Sequence, residues 1–268
     1  MDRWFDAIVD GNTVYGGTVK IYSYDVASDS WPAAAWSKLL DCVHACSSLT
    51  MIKGWLTTVG GESSPSTYSN VLLNLTGEGS GRRWTEKFPP MPTKRGLTSS
   101  LCTGATLIVA GGKGEGRRVL STDEVMNTET HQWSTAADLP QPTYLASASD
   151  CGAQVYIVRG ANKDGKSTKS VYTCFKEDLC QQPQSATSTV WRKVADLPVI
   201  RSTCESFHGR LLAFGRKKGP TETYHSCLHV RLDYQLLGNH QSYDNCSMEL
   251  LYSGPPWQPT DSNGRLHW

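Results

Sequence analysis

The chain has 268 residues, with 26 Lys and Arg against 25 Asp and Glu and a formal net charge of +1 at pH 7. This balance gives no global field that favours nucleic acid or an anionic membrane surface, so we expect neither as a partner. No apolar run of 18 residues occurs, and the start MDRWFDAIVD lacks the basic and then apolar pattern of a secretory signal.

Cysteine usage indicates the compartment. The chain has nine cysteines, an odd number, and they form no Cys-x-x-Cys pair. Several fall inside predicted strands, where a free thiol acts as a small apolar side chain. We therefore interpret them as reduced thiols and predict a cytoplasmic protein.

Glycine-terminated strands recur along the chain. Short apolar runs such as TLIVA end at single or paired glycines, namely Gly16, Gly17, Gly60, Gly61, Gly111, Gly112, Gly160 and Gly215. The last glycine of each set follows the previous one by 44, 51, 48 and 55 residues. Four of the sets are followed by a tryptophan: Trp31, Trp84, Trp133 and Trp191. A period near 50 residues with four short strands per period is typical of a β-propeller blade.

This repeat resembles the kelch family. The shared marks are the glycine-ended strand, the later aromatic strand, the tryptophan, and a Met/Leu-Pro element that reads PPMPTKR, AADLPQP and VADLPVIR here. The resemblance covers residues 4–235 and implies an all-β, kelch-type propeller with about five recognisable four-stranded blades. We predict blades near residues 4–37, 46–92, 96–140, 145–198 and 204–234, in a propeller domain of residues 1–234.

The segment after residue 234 lacks strand alternation. It reads QLLGNHQSYDNCSMELLYSGPPWQPTDSNGRLHW, with no credible tryptophan strand for the fifth blade. We therefore expect residues 235–268 to form an irregular tail, the ring to be incompletely closed, and the chain to be a fragment of a longer kelch protein.

Structural roles are predicted for the repeated residues. The glycines let neighbouring backbone approach closely and adopt a positive φ. Each tryptophan packs against the neighbouring blade and is assigned to the core rather than to ligand stacking. Family members often carry Arg after the blade-ending Pro, as at Arg95 and Arg201, and we expect hydrogen bonds to neighbouring blades there.

The loops that follow the second strands of three adjacent blades are basic. KGEGRRVLST has three bases and one acid, RGANKDGKSTKS has four and one, and RKKGPTET has three and one. The residues assigned to this binding rim are Lys113, Arg117, Arg118, Arg159, Lys163, Lys166, Arg216, Lys217 and Lys218. We predict that the rim docks an acidic or phosphorylated segment of a protein partner. The alternative is that these loops use basic residues for solubility alone.

Metal and catalytic motifs are weak. His225, Cys227 and His229 alternate in HSCLH, but neighbours on one strand face lie about 7 Å apart, too far for three ligands on one zinc ion. Cys42, His44 and Cys46 have no second ligand pair after them. Because no hydrolase, P-loop or metalloprotease pattern occurs, we predict no enzyme, no catalytic residues, no metal and no cofactor.

The leading functional hypothesis is therefore a non-catalytic protein-interaction propeller. The family resemblance implies two binding roles: substrate adaptor of a cullin-type ubiquitin ligase, and actin or cytoskeletal scaffold. The alternative from another class is a propeller enzyme, either a galactose-oxidase-like oxidase or a hydrolase.

Overall fold

The computed structural model describes residues 6–17, 21–30, 46–77, 81–179, 190–197, 202–207, 210–218, 223–237 and 240–254, which form five antiparallel sheets in chain order. Sheet 1 contains β1 (Asp6–Asp10), β2 (Thr13–Gly17) and β3 (Ile21–Asp25). Sheet 2 contains β4 (Ser48–Ile52), β5 (Trp55–Val59), β8 (Leu72–Thr76) and β9 (Arg83–Thr85). A small hairpin of β6 (Glu62–Ser64) and β7 (Thr67–Tyr68) separates β5 from β8.

The other three sheets repeat this up-and-down order. Sheet 3 contains β10 (Ser99–Thr103), β11 (Thr106–Ala110), β12 (Asp123–Asn127) and β13 (Trp133–Thr135). Sheet 4 contains β14 (Ser147–Cys151), β15 (Gln154–Ala161), β16 (Ser167–Phe175) and β17 (Arg192–Asp196), with the one-turn helix α1 (Lys176–Leu179) after β16. Sheet 5 contains β18 (Ser202–Phe207), β19 (Arg210–Lys218), β20 (Thr223–Leu237) and β21 (His240–Gly254).

The sheets are stacked as propeller blades. The first strand of each sheet contacts the first strand of the next, through the pairs β1–β4, β4–β10, β10–β14 and β14–β18. This confirms the predicted all-β propeller. Among the described residues, no strand ladder joins sheet 1 to sheet 5, so the ring is open there. None of the helices in the described part of the chain is long and apolar enough to span a bilayer.

The fifth sheet differs from the expectation of an irregular tail beginning at residue 235. Strand β20 continues to Leu237, and β21 pairs along it from Leu237↔His240 to His225↔Gly254. The sequence of β21 alternates poorly, so its pattern did not predict a strand. In the structure a long neighbouring strand supplies the backbone partners that make it one. Residues 255–268 lie outside the described residues, so the expectation for them is not addressed.

The core lies between successive sheets, and tryptophans contribute to three of the described junctions, those between sheets 1 and 2, 2 and 3, and 3 and 4. Trp191 is 2% exposed, packs in the cluster shared by sheets 3 and 4, and donates from Nε1 to the Ala137 carbonyl at 3.1 Å. Trp133 packs against the cluster between sheets 2 and 3, and its Nε1 donates to the Pro89 carbonyl at 3.1 Å. Trp84 packs in the cluster between sheets 1 and 2. Burying one such indole contributes up to about 4 kcal/mol. Trp31 lies outside the described residues.

The glycines end or interrupt the second strands and leave room for the backbone of the linker that leads into the next sheet. Gly111 has φ 57°, and a Cβ placed there would lie 2.3 Å from the Thr143 carbonyl oxygen. At Gly60, with φ 61°, the same atom would lie 2.2 Å from the carbonyl oxygen of Arg95. Any side chain at either position would collide with backbone, which explains the repeated glycine. The remaining glycines of the pattern occupy corresponding places: Gly16 and Gly17 end β2, Gly61 and Gly112 follow β5 and β11, and Gly160 and Gly215 lie in β15 and β19.

Candidate functional site

Three loops that follow second strands meet at one end of the propeller. We name them loop 2 (residues 60–71), loop 3 (residues 111–122) and loop 4 (residues 162–166). The linker from sheet 2 to sheet 3 holds loop 3 through reciprocal backbone hydrogen bonds of 2.9 and 2.8 Å between Gly96 and Lys113. The next linker repeats this contact beside loop 4, with bonds of 3.0 and 2.7 Å between Tyr144 and Ala161. The three loops therefore share one face.

Loop 3 is bonded directly to loop 2. The Arg117 Nε–H donates to Ser66 Oγ at 2.6 Å. Both residues adopt left-handed backbone conformations, with φ 61° at Arg117 and 67° at Ser66. The Ser66 N–H in turn donates to Glu62 Oε1 at 2.6 Å. Two left-handed residues other than glycine in contact with each other are uncommon and are held here by surrounding hydrogen bonds, a pattern associated with functional sites.

Loop 3 also contacts the linker that leads to loop 4. The Lys113 Nζ lies 3.8 Å from the centroid of the Tyr144 ring, a cation–π contact. Gly165 belongs to loop 4, and a Cβ atom added to it would lie 3.8 Å from the Tyr144 hydroxyl. Tyr144 thus fills the space between the two basic loops and fixes where the Lys113 ammonium sits.

Loop 4 is a tight turn built around Asn162. The Asn162 Oδ1 accepts the N–H groups of Asp164 and Lys166, each at 3.0 Å, while the Asn162 N–H donates to the Lys166 carbonyl at 2.9 Å. An Asx-type side chain is well suited to closing such a turn. Lys163 and Lys166 therefore project from a defined backbone rather than from a long irregular loop.

The cations of this face are accessible. Arg117, Arg118, Lys163 and Lys166 are exposed and Lys113 is half-buried. Ion pairs among the described residues join other groups, at Arg95–Glu124, Lys176–Asp150 and Lys193–Asp196. Positive charge on this face is thus left for solvent or for an anion. We call these five residues the basic rim.

Four of the predicted rim residues are placed differently or only partly described. Arg216, Lys217 and Lys218 belong to strand β19, where they pair with His225, Tyr224 and Thr223 of β20. The prediction that they form a loop is therefore wrong, because the β19–β20 hairpin extends past Gly215. Arg159 lies in β15. The side chains of all four are outside the described part of the structure.

Burial perturbs two groups close to the rim. Desolvation raises the pKa of Tyr68, the nearby Glu62 carboxylate adds to the rise, and Arg117 opposes it. Desolvation likewise raises the pKa of the Cys46 thiol, with Glu62 reinforcing and Lys113 opposing the shift. Both groups stay neutral near pH 7, so neither adds to the charge that the rim and the acidic residues Glu62, Glu115 and Asp164 give this region.

A buried polar cluster forms hydrogen bonds with both ends of loop 3. The fully buried Arg95 donates from Nη1 to the carbonyls of Gly111 at 3.0 Å and Thr122 at 2.7 Å, and pairs with Glu124 at 3.1 Å. Burial raises the pKa of Asp123 well above its usual range, although the Gly111 N–H, which donates to its Oδ1 at 3.2 Å, and Arg95 oppose the rise. The two ends of loop 3 are thereby tied to one guanidinium. Arg95 thus bonds to a neighbouring blade, whereas Arg201 lies outside the described residues.

A chain of backbone hydrogen bonds connects the blades at the same end. The Leu97 N–H donates to the Cys46 carbonyl at 2.8 Å, and the Leu145 N–H donates to the Leu97 carbonyl at 2.9 Å. All three residues have positive φ, of 61°, 55° and 57° in chain order. Sequence reasoning missed this chain, and it missed Ser66 and Tyr144 as well. Only Tyr144 could have been found from the sequence, by aligning the repeats, because Tyr144 occupies the position that Gly96 has in the preceding blade.

Metal-ligating side chains do not converge in the described part of the chain, where no group of three His, Cys, Asp or Glu could hold an ion. His225, Cys227 and His229 lie on β20, but their side chains are not among those described. Cys42 and His44 lie outside the described residues. Among the cysteines whose side chains the structure describes, Cys46, Cys102, Cys151, Cys174 and Cys204, none is part of a disulfide.

Several known proteins are similar to this chain in sequence. The chain is 28% identical over 132 residues to the Kelch-like protein terF of Aspergillus terreus, covering 47% of this chain and 28% of that protein. It is 28% identical over 130 residues to the mouse Kelch-like protein 35, covering 36% and 22%. It is 25% identical over 165 residues to an F-box/kelch-repeat protein of Arabidopsis thaliana, covering 56% and 41%.

The fold is also matched by a solved structure. The structure of YjhT superposes with a TM-score of 0.58 at 14% identity, covering 92% of this chain and 97% of that one. The chain is a kelch-repeat β-propeller. No protein-family model matches it. The matched segments cover less than half the length of each of the three relatives, so their whole-protein roles do not transfer to this chain directly.

Proposed function

We propose that this kelch propeller is a non-catalytic interaction module whose basic rim binds an acidic or phosphorylated segment of a protein partner. The observation that carries the proposal is the convergence of Lys113, Arg117, Arg118, Lys163 and Lys166 on one face, where they form no ion pair with any described residue. A guanidinium and an ammonium group held on rigid backbone suit carboxylate and phosphate oxygens.

Preorganisation supports binding over mere solubility. Lysines retained only for solubility need no fixed position. Here the Lys113 ammonium is stacked on Tyr144, and Arg117 is bonded to Ser66. Fixing side chains before binding lowers the entropy lost on association.

Charge reversal tests the proposal. A peptide array of acidic and phosphorylated sequences would be probed with the purified chain, and its hits measured by fluorescence anisotropy at physiological salt. We expect Arg118→Glu with Lys163→Glu and Lys166→Glu to weaken the hits more than about tenfold. The matched control is Lys53→Glu, an exposed lysine in the turn between β4 and β5 at the other end of the blade. Unchanged affinity after charge reversal, or an array without hits, would contradict the proposal.

We also propose that the module acts in the cytoplasm as an adaptor, delivering its partner to a cullin-type ubiquitin ligase. Support comes from the printed name of one relative, which pairs an F-box with kelch repeats, and from Cys46, Cys102, Cys151 and Cys174, none of which is part of a disulfide. Affinity purification from cells should recover a cullin subunit with the endogenous full-length protein. Co-sedimentation with filamentous actin and no cullin would favour the cytoskeletal alternative instead.

A further inference from the structure

The β6–β7 hairpin of loop 2 presents one serine differently from its neighbours. The Ser63 Oγ donates to the Thr67 carbonyl at 3.2 Å, and the Ser66 Oγ accepts the hydrogen bond from Arg117. Ser64 is exposed, and no hydrogen bond of its hydroxyl to another described residue is found. Of these three serines, Ser64 thus presents the hydroxyl that is open to an incoming enzyme.

The local backbone presents Ser64 in an extended form. Ser64 ends strand β6 and precedes Pro65, whose ring keeps the preceding residue out of the helical region. Ser66 follows with φ 67°, which completes a reversal at the hairpin tip. Exposed loop tips are the parts of a folded domain that enzymes acting on the chain reach most readily, and here the tip carries a Ser-Pro pair.

We propose that Ser64 is a phosphorylation site of a proline-directed serine/threonine kinase, and that its phosphate binds the guanidinium groups of Arg117 and Arg118 and so closes the basic rim. The regulatory part of this inference rests on the proposed function. In the reaction the Ser64 Oγ attacks the γ-phosphorus of ATP as the bond to ADP breaks. The hydroxyl proton passes to the catalytic carboxylate of the kinase, and ADP leaves.

The charged residues near Ser64 favour a contact between its phosphate and the basic rim. The phosphate adds a charge of about −1.5 to −2 at pH 7, which would offset about half of the four exposed rim cations. Arg117 already reaches the hairpin, since its Nε bonds to Ser66, two residues from Ser64. The groups of loops 2 and 3 that titrate or carry charge, together with the nearby thiol, are Glu62, Tyr68, Cys46, Lys113, Glu115, Arg117 and Arg118. Glu62 opposes the new phosphate, but its Oε1 is engaged by the Ser66 N–H.

The first test asks whether the site exists. The full chain would be incubated with a purified proline-directed kinase and Mg-ATP, and the product mapped by mass spectrometry. We expect one phosphate at Ser64, lost in Ser64→Ala and kept in the matched control Ser63→Ala. Because both serines are exposed, neither substitution threatens the fold. No incorporation, or incorporation elsewhere, overturns the assignment.

The second test asks whether the phosphate engages Arg117, and it needs no partner. A ³¹P NMR titration should give a lower second pKa for phosphorylated wild type than for phosphorylated Arg117→Gln, because a nearby guanidinium stabilises the dianion. Equal pKa values in the two proteins would overturn the contact. Glu62 is present in both, so its opposing effect cancels.

The third test links the site to the rim. A fluorescein-labelled poly-glutamate peptide should bind unmodified protein and bind the phosphorylated form about threefold to tenfold more weakly. Equal affinity for both forms would overturn rim closure. If the unmodified protein does not bind this peptide, rim closure fails with the proposed function, while the mapping and ³¹P results still decide whether Ser64 is a site that Arg117 engages.

Discussion

Arg117 and Ser66 lie 51 residues apart in sequence and meet across two blades through a 2.6 Å hydrogen bond, each with its backbone in the left-handed region. Neither conformation is favourable by itself for a residue with a Cβ atom. The contact ties the hairpin of loop 2 to the 3-10 turn Glu115–Arg117 of loop 3. Loop 2 is therefore joined to the basic rim by a direct side-chain hydrogen bond.

Removing the acceptor should loosen the hairpin alone. We expect Ser66→Ala to speed amide hydrogen exchange in residues 62–68, because Arg117 no longer holds the turn. Global unfolding free energy should change by less than about 0.5 kcal/mol, since the site is at the surface. Exchange mass spectrometry would measure the effect, with Ser167→Ala, an exposed serine at the start of β16, as the control. Unaltered exchange in the hairpin would mean that the bond does not constrain it.

Two glycines with the same φ separate backbone strain from close contact. Gly104 and Gly111 both have φ 57°, but a Cβ at Gly104 meets nothing within 4 Å, whereas at Gly111 it lies 2.3 Å from the Thr143 oxygen. We expect Gly104→Ala to lower the unfolding free energy by about 1 kcal/mol and Gly111→Ala by at least about 3 kcal/mol. Urea unfolding would compare them. Equal losses would show that the linker can move aside.

The buried Arg95–Glu124 pair should be far more sensitive than an exposed one. Arg95→Leu leaves the Glu124 carboxylate buried without its cation and should reduce the unfolding free energy by about 3–5 kcal/mol. Adding Glu124→Leu should recover a large part of the loss, because no uncompensated charge then remains.

The exposed Lys193–Asp196 pair supplies the matched comparison, with side chains 49% and 55% exposed. Lys193→Leu should change stability little, because water screens that pair. Chemical denaturation of the three variants would measure the contrast. A double variant as unstable as Arg95→Leu alone would show that the guanidinium matters through its bonds to the carbonyls of loop 3.

Cys102 should be slow to alkylate. Burial raises the pKa of its thiol to about 11, with the Asp150 carboxylate reinforcing the rise. The thiolate is the reactive form, so its fraction should increase about tenfold per pH unit from pH 7 to 10 and remain small throughout. Mass spectrometry after iodoacetamide treatment would give the rate at each pH. A rate that levels off near pH 8.5 in native protein would contradict this, whereas that behaviour is expected of the unfolded control.

The charge distribution of the rim could be predicted only in part from the sequence. Lys113, Arg117, Arg118, Lys163 and Lys166 were found from their loops, because a glycine-ended strand marks where each loop begins. Arg216, Lys217 and Lys218 were misplaced. Gly215 marks the end of the strand in the repeat pattern, but the hydrogen-bonded hairpin continues beyond it to Lys218. Strand length depends on the partner strand as much as on local residues.

The sequence by itself determined the kelch repeat, the glycine positions and the tryptophans between blades, because each is encoded by residue type at a fixed spacing within one blade. The tertiary structure alone decided which residues meet between blades: Arg117 with Ser66, Lys113 with Tyr144, and Leu97 with Cys46 and Leu145. Those contacts join residues 31 to 51 positions apart in sequence, and the two made by Leu97 use only backbone atoms, which do not depend on side-chain type. Stacking of complete blades brings them together, so no local pattern could reveal them.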